Sequence, residues 1–323
     1  MERKFTIVRR EIIKIGLLDT SIDSDNLGDS IIMKAIELEL SKLNLAITMR
    51  LPTHRRWTKS EMVQARDVDR WIVCGTNILN SFFPISSSWK ISWTTIWTLR
   101  GKCVLFGVGW SKYETSYSFS KFVYRWLLDR KVIHAVRDSY TLSKIENWGI
   151  HSVNTSCPTL WSYSETLAHK SCISSKSKIL LTLTDYDKDE ILDLQIMHLL
   201  LDNAESVALW PQGKFDEQYS RSLHSDIQIL PRSLESFEEK ISQGYSHVGT
   251  RLHAGIYALL LGGLSSNISI DNRAKEISRD TGLPIVERTS INATTRFEPT
   301  RPILTLPLEE VEDFRRALGN LGK

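Results

Sequence analysis

The chain has 323 residues, 41% hydrophobic and 24% charged, a composition that excludes a disordered or fibrous polymer and, at this length, predicts two globular domains. Its 41 Lys and Arg against 38 Asp and Glu leave a net charge of +3, too small to predict a nucleic-acid partner without the basic and aromatic motifs of an RNA-binding module. Cys74, Cys103, Cys157 and Cys172 form no C-x-x-C pair, which predicts neither a zinc site nor a disulfide framework and suits a reducing compartment.

The first ten residues carry charges but no apolar signal-peptide core, and the longest apolar run, near Ile256 to Leu264, is far short of a membrane span. A cytoplasmic protein is expected. Glu11 to Leu18 reads as a strand and Ser30 to Leu43 as an amphipathic helix, with Asn26-Leu27-Gly28-Asp29 at their junction. In a parallel α/β sheet that junction is the edge where ligands bind, and Asp29 is equally suited to cap the helix. Ala46 to Leu51 reads as a second strand, followed by the basic loop His54-Arg55-Arg56-Trp57. That loop is either a solvated turn or a contact for an anionic lipid or lipid-linked diphosphate.

Arg70 to Cys74 reads as a buried strand ending at Gly75-Thr76-Asn77. Trp89, Trp93 and Trp97 recur every fourth residue, which predicts one helical face used for core packing or a subunit contact rather than for sugar stacking. The strand Lys102 to Phe106 ends at Gly107-Val108-Gly109-Trp110, two glycines without the dinucleotide fingerprint. A helix over Phe119 to Asp129 leads to the strand Val132 to Val136 and then to Arg137-Asp138-Ser139, where Asp138 or Ser139 caps a helix over Tyr140 to Trp148. Cys157-Pro158 closes this half.

The sequence turns serine-rich between Ser162 and Ser177, and the predicted division is a first domain over 1–165, a linker at 166–177, a second domain over 178–305 and a terminal helix within 306–323 that packs across the junction. The second half repeats the alternation: strand Lys178 to Leu183, helix Asp187 to Leu201, strand Ser206 to Leu209, helix Ser233 to Gln243, strand Ser246 to Gly249, helix Ala254 to Leu264 and strand Asn267 to Ile270. Arg251 and His253 therefore stand at a strand-to-helix junction, where unpaired N–H groups attract anions. An Arg brings a fixed cationic fork, and a His can move a proton near neutral pH; a plain helix start with an incidental Arg and His fits these residues equally well.

In order along the chain, Asn26-x-Gly28-Asp29, Gly75, Gly107-Val108-Gly109, Val136-Arg137-Asp138-Ser139, Cys157-Pro158, Arg251-Leu252-His253-Ala254 and Asp271-x-Arg273 resemble the polysaccharide pyruvyl transferase family. The resemblance implies two Rossmann-like domains facing across a cleft, as in GT-B glycosyltransferases, and transfer of the enolpyruvyl carbons of phosphoenolpyruvate to a sugar as a ketal. Three positions depart from the family pattern: Gly75-Thr76-Asn77 lacks a fuller glycine run, Ser156 replaces a glycine, and Arg273 stands where Lys is frequent.

On this resemblance Arg251, Arg137, Leu252 and Lys275 would hold the donor, and His253 would be the general acid. Asp29 would be the base, and Asn26, Asn77 and Trp110 would meet the acceptor. Neither cofactor nor metal is implied, because arginines would stabilise the leaving phosphate. The partners implied are phosphoenolpyruvate and a glycan or lipid-linked oligosaccharide, with contact at the inner membrane face and a homo-oligomer as further expectations. Two other readings stand beside it: a glycosyltransferase whose nucleotide-sugar phosphates meet Arg251, His253 and Lys275, and a glycan-binding scaffold presenting Trp89, Trp93 and Trp97.

Overall fold

A computed structural model of the chain describes residues 13–43, 45–115, 117–164, 167 and 177–321. Two six-stranded sheets form within them. The first comprises β1 (Ile15–Asp19), β2 (Ile47–Pro52), β3 (Arg70–Cys74), β4 (Cys103–Val108), β5 (His134–Val136) and β6 (Ser152–Asn154), in the order β2-β1-β3-β4-β5-β6. The second comprises β7 (Lys178–Thr182), β8 (Ser206–Leu209), β9 (Gln228–Ile229), β10 (Ser246–Gly249), β11 (Ser265–Ser269) and β12 (Ile285–Glu287), in the order β12-β11-β10-β7-β8-β9. Every pairing is parallel. Parallel strands are covered on both faces, so they read as unbroken apolar runs: every residue of β1 and β4 is buried.

The helices, in chain order, are α1 (Leu27–Ser41), α2 (Lys59–Gln64), α3 (Trp93–Leu99), α4 (Ser118–Leu127), α5 (Ser139–Glu146), α6 (Glu190–Asn203), α7 (Asp216–Leu223), α8 (Leu234–Ser242), α9 (Leu252–Leu260), α10 (Asn272–Thr281) and α11 (Leu308–Gly319). The second sheet has the strand order of a dinucleotide-binding fold, and the first has the flavodoxin-like order with a strand added. Order reverses between β1 and β3 in one and between β7 and β10 in the other. Ligands bind at such points, beyond the carboxyl ends of the strands. The fold is therefore the α/β pair of Rossmann-like sheets read from the sequence, and a GT-B-like description fits it.

One face of the first sheet packs Leu18, Trp71, Val73 and Leu105 against Tyr124 of α4 and Trp148. Its other face packs Ile15, Leu17 and Phe106 against Ile32 and Ile36 of α1 and against Val311, Phe314 and Leu318 of α11. The last helix thus returns to the first sheet, and Arg315 pairs with the buried Glu39 of α1 at 2.7 Å. In the second half β7 and β10 lie between α6, whose Ile196, Met197 and Leu200 face inward, and α8 and α9 on the opposite face, with Phe237 and Ala254 in that core.

Four expectations change. Helix α1 starts three residues early and its cap is Asn26, whose side chain accepts from Gly28 N; Asp29 is therefore inside the first turn and free of the capping role. Trp89 lies ahead of α3, buried against Phe83, so only Trp93 and Trp97 share the helical face. α9 ends at Leu260, because Gly262 turns left-handed at φ +90. Three polar helices, α2, α7 and α10, and the short strands β9 and β12 were not predicted. The predicted linker lies outside the described residues except for Leu167 and Ser177.

Candidate active site

The carboxyl edges of the two sheets face each other. The chain joins them across Asn26, which forms an antiparallel bridge with Gly213, while Leu27 N donates to Gln212 O at 3.0 Å and Gln212 Nε2 to Asn26 Oδ1 at 2.7 Å. On the far side Asn272 Nδ2 donates to Trp110 O at 3.3 Å, and Ser139 N donates to Asp280 at 2.7 Å. Between these contacts opens a cavity of about 1130 Å³, lined by Asn77, Ser88 and Lys90 from the first half and by Tyr186, Asp271 and Arg273 from the second.

Arg137 follows β5 directly and is 1% exposed. Its Nη2 donates to Asn77 Oδ1 and lies 3.4 Å from the Asp138 carboxylate, whose other oxygen caps α5 through Thr141 N at 2.8 Å. Arg137 Nε is buried with no hydrogen-bond partner. A buried donor without a partner costs about 1–3 kcal/mol, more for a charged group, which leaves Arg137 a free donor that a ligand could take up. The backbone makes room for this arginine at Gly109, where a Cβ would overlap both Arg137 Nη2 and Asn77 Oδ1.

Arg273 reaches the same cavity from the start of α10, which Asp271 caps. Its Nε donates to Asp271 Oδ2 at 2.7 Å, its Nη2 donates to Tyr186 Oη, and its guanidinium stands 5.3 Å from the Tyr186 ring. Burial and the nearby charge of Arg137 pull Arg273 down to about 10, with the Asp29 carboxylate opposing them. Arg273 also pairs with the Asp271 carboxylate, and its guanidinium and that of Arg137 are close enough to repel, which favours an anion beside them.

His253, in the first turn of α9, is also buried, and burial together with Arg137 lowers its pKa to about 4 against the pull of Asp29. Its Nε2 is 3.6 Å from Cys157 Sγ, across the junction between the halves. Burial pushes the Cys157 thiol up, so it is a protonated neighbour that seats the ring and not a thiolate nucleophile. Asp29 accepts from Ser24 Oγ at 2.6 Å and lies 3.5 Å from His54 Nε2. At His54 burial opposes the charge, yet the Asp29 carboxylate and the Ser88 and Thr20 backbone groups outweigh it, and its pKa is raised above 6.5. The two histidines near Asp29 are thus driven in opposite directions, the pattern by which acid and base roles are divided. His54 read as part of a basic turn; only the fold brings it to Asp29. Its neighbour Arg55 is bound in ion pairs to Asp23 and Glu61, at 2.7 and 2.8 Å.

Five predicted contacts have other surroundings. Arg251 donates from Nε to Asp216 at 2.9 Å and from Nη2 to Asp185 at 2.8 Å and to Asp216, so its fork is occupied from within. Lys275 turns outward to Glu287 at 2.9 Å, since two residues along α10 put it on the side of the helix opposite Arg273. Trp110 is fully buried among Tyr124 and Trp148, its ring closed to any acceptor. Leu252 packs in a core with Cys157, Tyr163 and Ile256. Asn26 has its amide oxygen committed to Gly28 N and Gln212. Asn77 and Arg273 line the cavity, and Arg137, Asp29, His253 and His54 form the linked charged cluster behind them. Among the described residues, no group of three His, Cys, Asp or Glu side chains could hold a metal ion, and no helix is long and apolar enough to cross a membrane.

No curated protein matches the chain. A family model described as polysaccharide pyruvyl transferase matches residues 26–263, from the Asn26 cap to the glycine turn after α9, and so takes in Asp29, His54, Asn77, Arg137 and His253. With that match over most of its length, the chain belongs to the polysaccharide pyruvyl transferase family, and so to the transferases of polysaccharide biosynthesis.

Proposed function

We propose that the protein transfers the enolpyruvyl group of phosphoenolpyruvate to two hydroxyls of one sugar, forming a pyruvate ketal and releasing phosphate. The observation that carries this is the pair of guanidinium groups beside one interdomain cavity, the buried Arg137 with its vacant Nε and the part-buried Arg273 lowered to about 10. Phosphoenolpyruvate has two anionic ends on three carbons, and the two arginines suit one each.

The reaction breaks one C–O bond and moves two protons. The first sugar hydroxyl bonds to the central carbon as its proton passes through Asp29 to the methylene carbon, which becomes methyl. The bond to the bridging oxygen then breaks as protonated His253 gives its proton to the leaving phosphate, the second hydroxyl bonds to the central carbon and closes the ring, and its proton restores His253. His253 is neutral before the donor binds. A bound dianionic phosphate would offset Arg137 and raise the imidazole pKa, so His253 becomes a proton carrier when there is a leaving group to protonate. His54 stands beside Asp29 at the other end of the site.

The nucleotide-sugar reading needs Arg251, His253 and Lys275 together around a diphosphate, and the first and last of these are bound to carboxylates. The test is to run the full chain with phosphoenolpyruvate and a polysaccharide acceptor in heavy water. Acceptor-dependent phosphate release, with a single deuterium in each ketal methyl, is expected. Acceptor-independent phosphate release, or thermal stabilisation by nucleotide sugars and none by phosphoenolpyruvate, would overturn the proposal.

A further inference from the structure

The largest exposed aromatic surface lies away from the chemistry. Phe82, Trp93, Trp97, Tyr117, Phe119 and Phe122 are each 46–65% exposed. α3 buries Ile96 and Leu99 and turns Trp93 and Trp97 outward four residues apart, and α4 buries Val123 and Leu127 while presenting Phe119 and Phe122 three apart. The rings touch in sequence: Phe82 on Tyr117 at 4.9 Å, Trp93 on Phe119 at 6.0 Å, and Trp97 and Phe122 both on Trp126, at 5.4 and 6.2 Å. They make one belt across two helices, and a contiguous apolar surface of this kind marks an interaction site.

The belt is cationic. From Ser81 to Trp126 the chain holds Lys90, Arg100, Lys102, Lys112, Lys121 and Arg125 against one carboxylate, Glu114, although the whole chain is only +3. Lys90, Arg100 and Lys112 are exposed, and the Arg100 guanidinium lies over the Trp97 and Trp126 rings, 5.7 and 5.3 Å from their centres. A second copy docked face to face would oppose these cations to themselves. Anionic lipid complements them, and amphipathic rings flanked by Lys and Arg are the side chains that seat in the headgroup layer.

We infer that the outer faces of α3 and α4, with the Phe82 loop, bind the surface of an anionic lipid bilayer. The belt ends at the cavity, because Phe82 and Lys90 line it. A sugar carried on a lipid would then reach the cavity while its lipid stays in the bilayer; this last link alone rests on the pyruvyl-transfer reading.

The experiment floats the full chain with vesicles of phosphatidylcholine alone, or with about one-third phosphatidylglycerol, in the absence of donor and acceptor. Flotation with the anionic vesicles only, weakening as salt rises, is expected, with a blue shift of tryptophan emission. Replacing Trp93, Trp97 and Phe122 together by Ser should reduce vesicle affinity at least about tenfold, and Arg100→Glu or Lys121→Glu at least about fivefold each. These side chains are exposed or at the rim, so a melting temperature near wild type checks that the variants fold. Three results would overturn the inference: no flotation with anionic vesicles, equal flotation with neutral ones, or unchanged flotation of the triple variant. So would a wild-type dimer that the triple variant converts to monomer, since the belt would then be a self-association face. With no donor present, a failure of the pyruvyl-transfer reading leaves this readout unaffected.

Discussion

Arg137 and Arg251 stand at matching places in the two halves, each buried and each between the end of a parallel strand and the start of a helix, yet their surroundings differ. Arg251 meets two carboxylates from its own half, Asp216 and Asp185, and Gly213 is bare so that the guanidinium fits. Arg137 meets one amide and one distant carboxylate, and its Nε meets nothing. An arginine whose charge is already matched holds a fold together, and an arginine whose charge is unmatched is available to a ligand. The lesson is that position at a sheet edge nominates a residue, and its hydrogen-bond inventory decides what it does.

The sharpest way to break this contrast is to remove each arginine in turn. Arg251→Met leaves Asp216 and Asp185 buried without their cation, and the expected result is a loss of about 3–5 kcal/mol of folding stability by denaturant titration. A variant of normal stability that fails only to bind donor would reverse the roles assigned to the two residues. Arg137→Met should do the opposite. Its kcat/KM for transfer is expected to fall about 10²- to 10³-fold, with a melting temperature at or above wild type.

The pH dependence separates the two halves further. Burial holds His253 and His134 near 4 and His247 near 3 in the folded chain. An unfolded histidine titrates near 6.5, so the unfolded state binds more protons as pH falls below that value, and stability drops from about pH 6.5 toward pH 4. Each of the three contributes on the order of 3 kcal/mol to that slope, read as melting temperature against pH. Donor binding should remove His253 from the set by raising its pKa. Calorimetry in buffers of different ionisation enthalpy should therefore show proton uptake when phosphoenolpyruvate binds near pH 6, and no uptake would count against His253 as the proton carrier.

The smallest expected effect concerns the backbone. Thr76 and Ser156 both adopt left-handed conformations, at φ 57 and 60, which favour glycine. Ser156→Gly should stabilise the chain by about 0.5 kcal/mol, the conformational cost relieved less the entropy glycine gives the unfolded chain. An unchanged denaturation midpoint would mean that the bond from Ser156 N to Asn154 Oδ1, at 3.0 Å, already offsets the strain.

The sheets were legible in the sequence because their strands are continuous apolar runs such as Trp71-Ile72-Val73 and Leu180-Leu181, ended by Gly or a charge. α7 and α10 were not, since each has few apolar residues and is held by tertiary contacts such as Tyr219 to Asp193 and Ile277 in the core. The site was half legible. Arg137, Asp29, Asn77 and His253 carry types and positions that chemistry selects. The partners of Arg251 and Lys275 come from distant segments, Asp185, Asp216 and Glu287, and the approach of His54 to Asp29 depends on where β2 lies beside β1. Pairings of that kind are decided by register, which local spacing does not encode.

The return of α11 to the first sheet has a mechanical consequence. The chain passes from the first half to the second after Trp161 and back again before Leu308, and Phe314 fastens the returning end between Phe106 and Trp161. The second half is therefore tied to the first by its returning end as well as by the Asn26 to Gln212 contact, so truncation of the chain before α11 would remove an attachment between the halves and not only a surface helix.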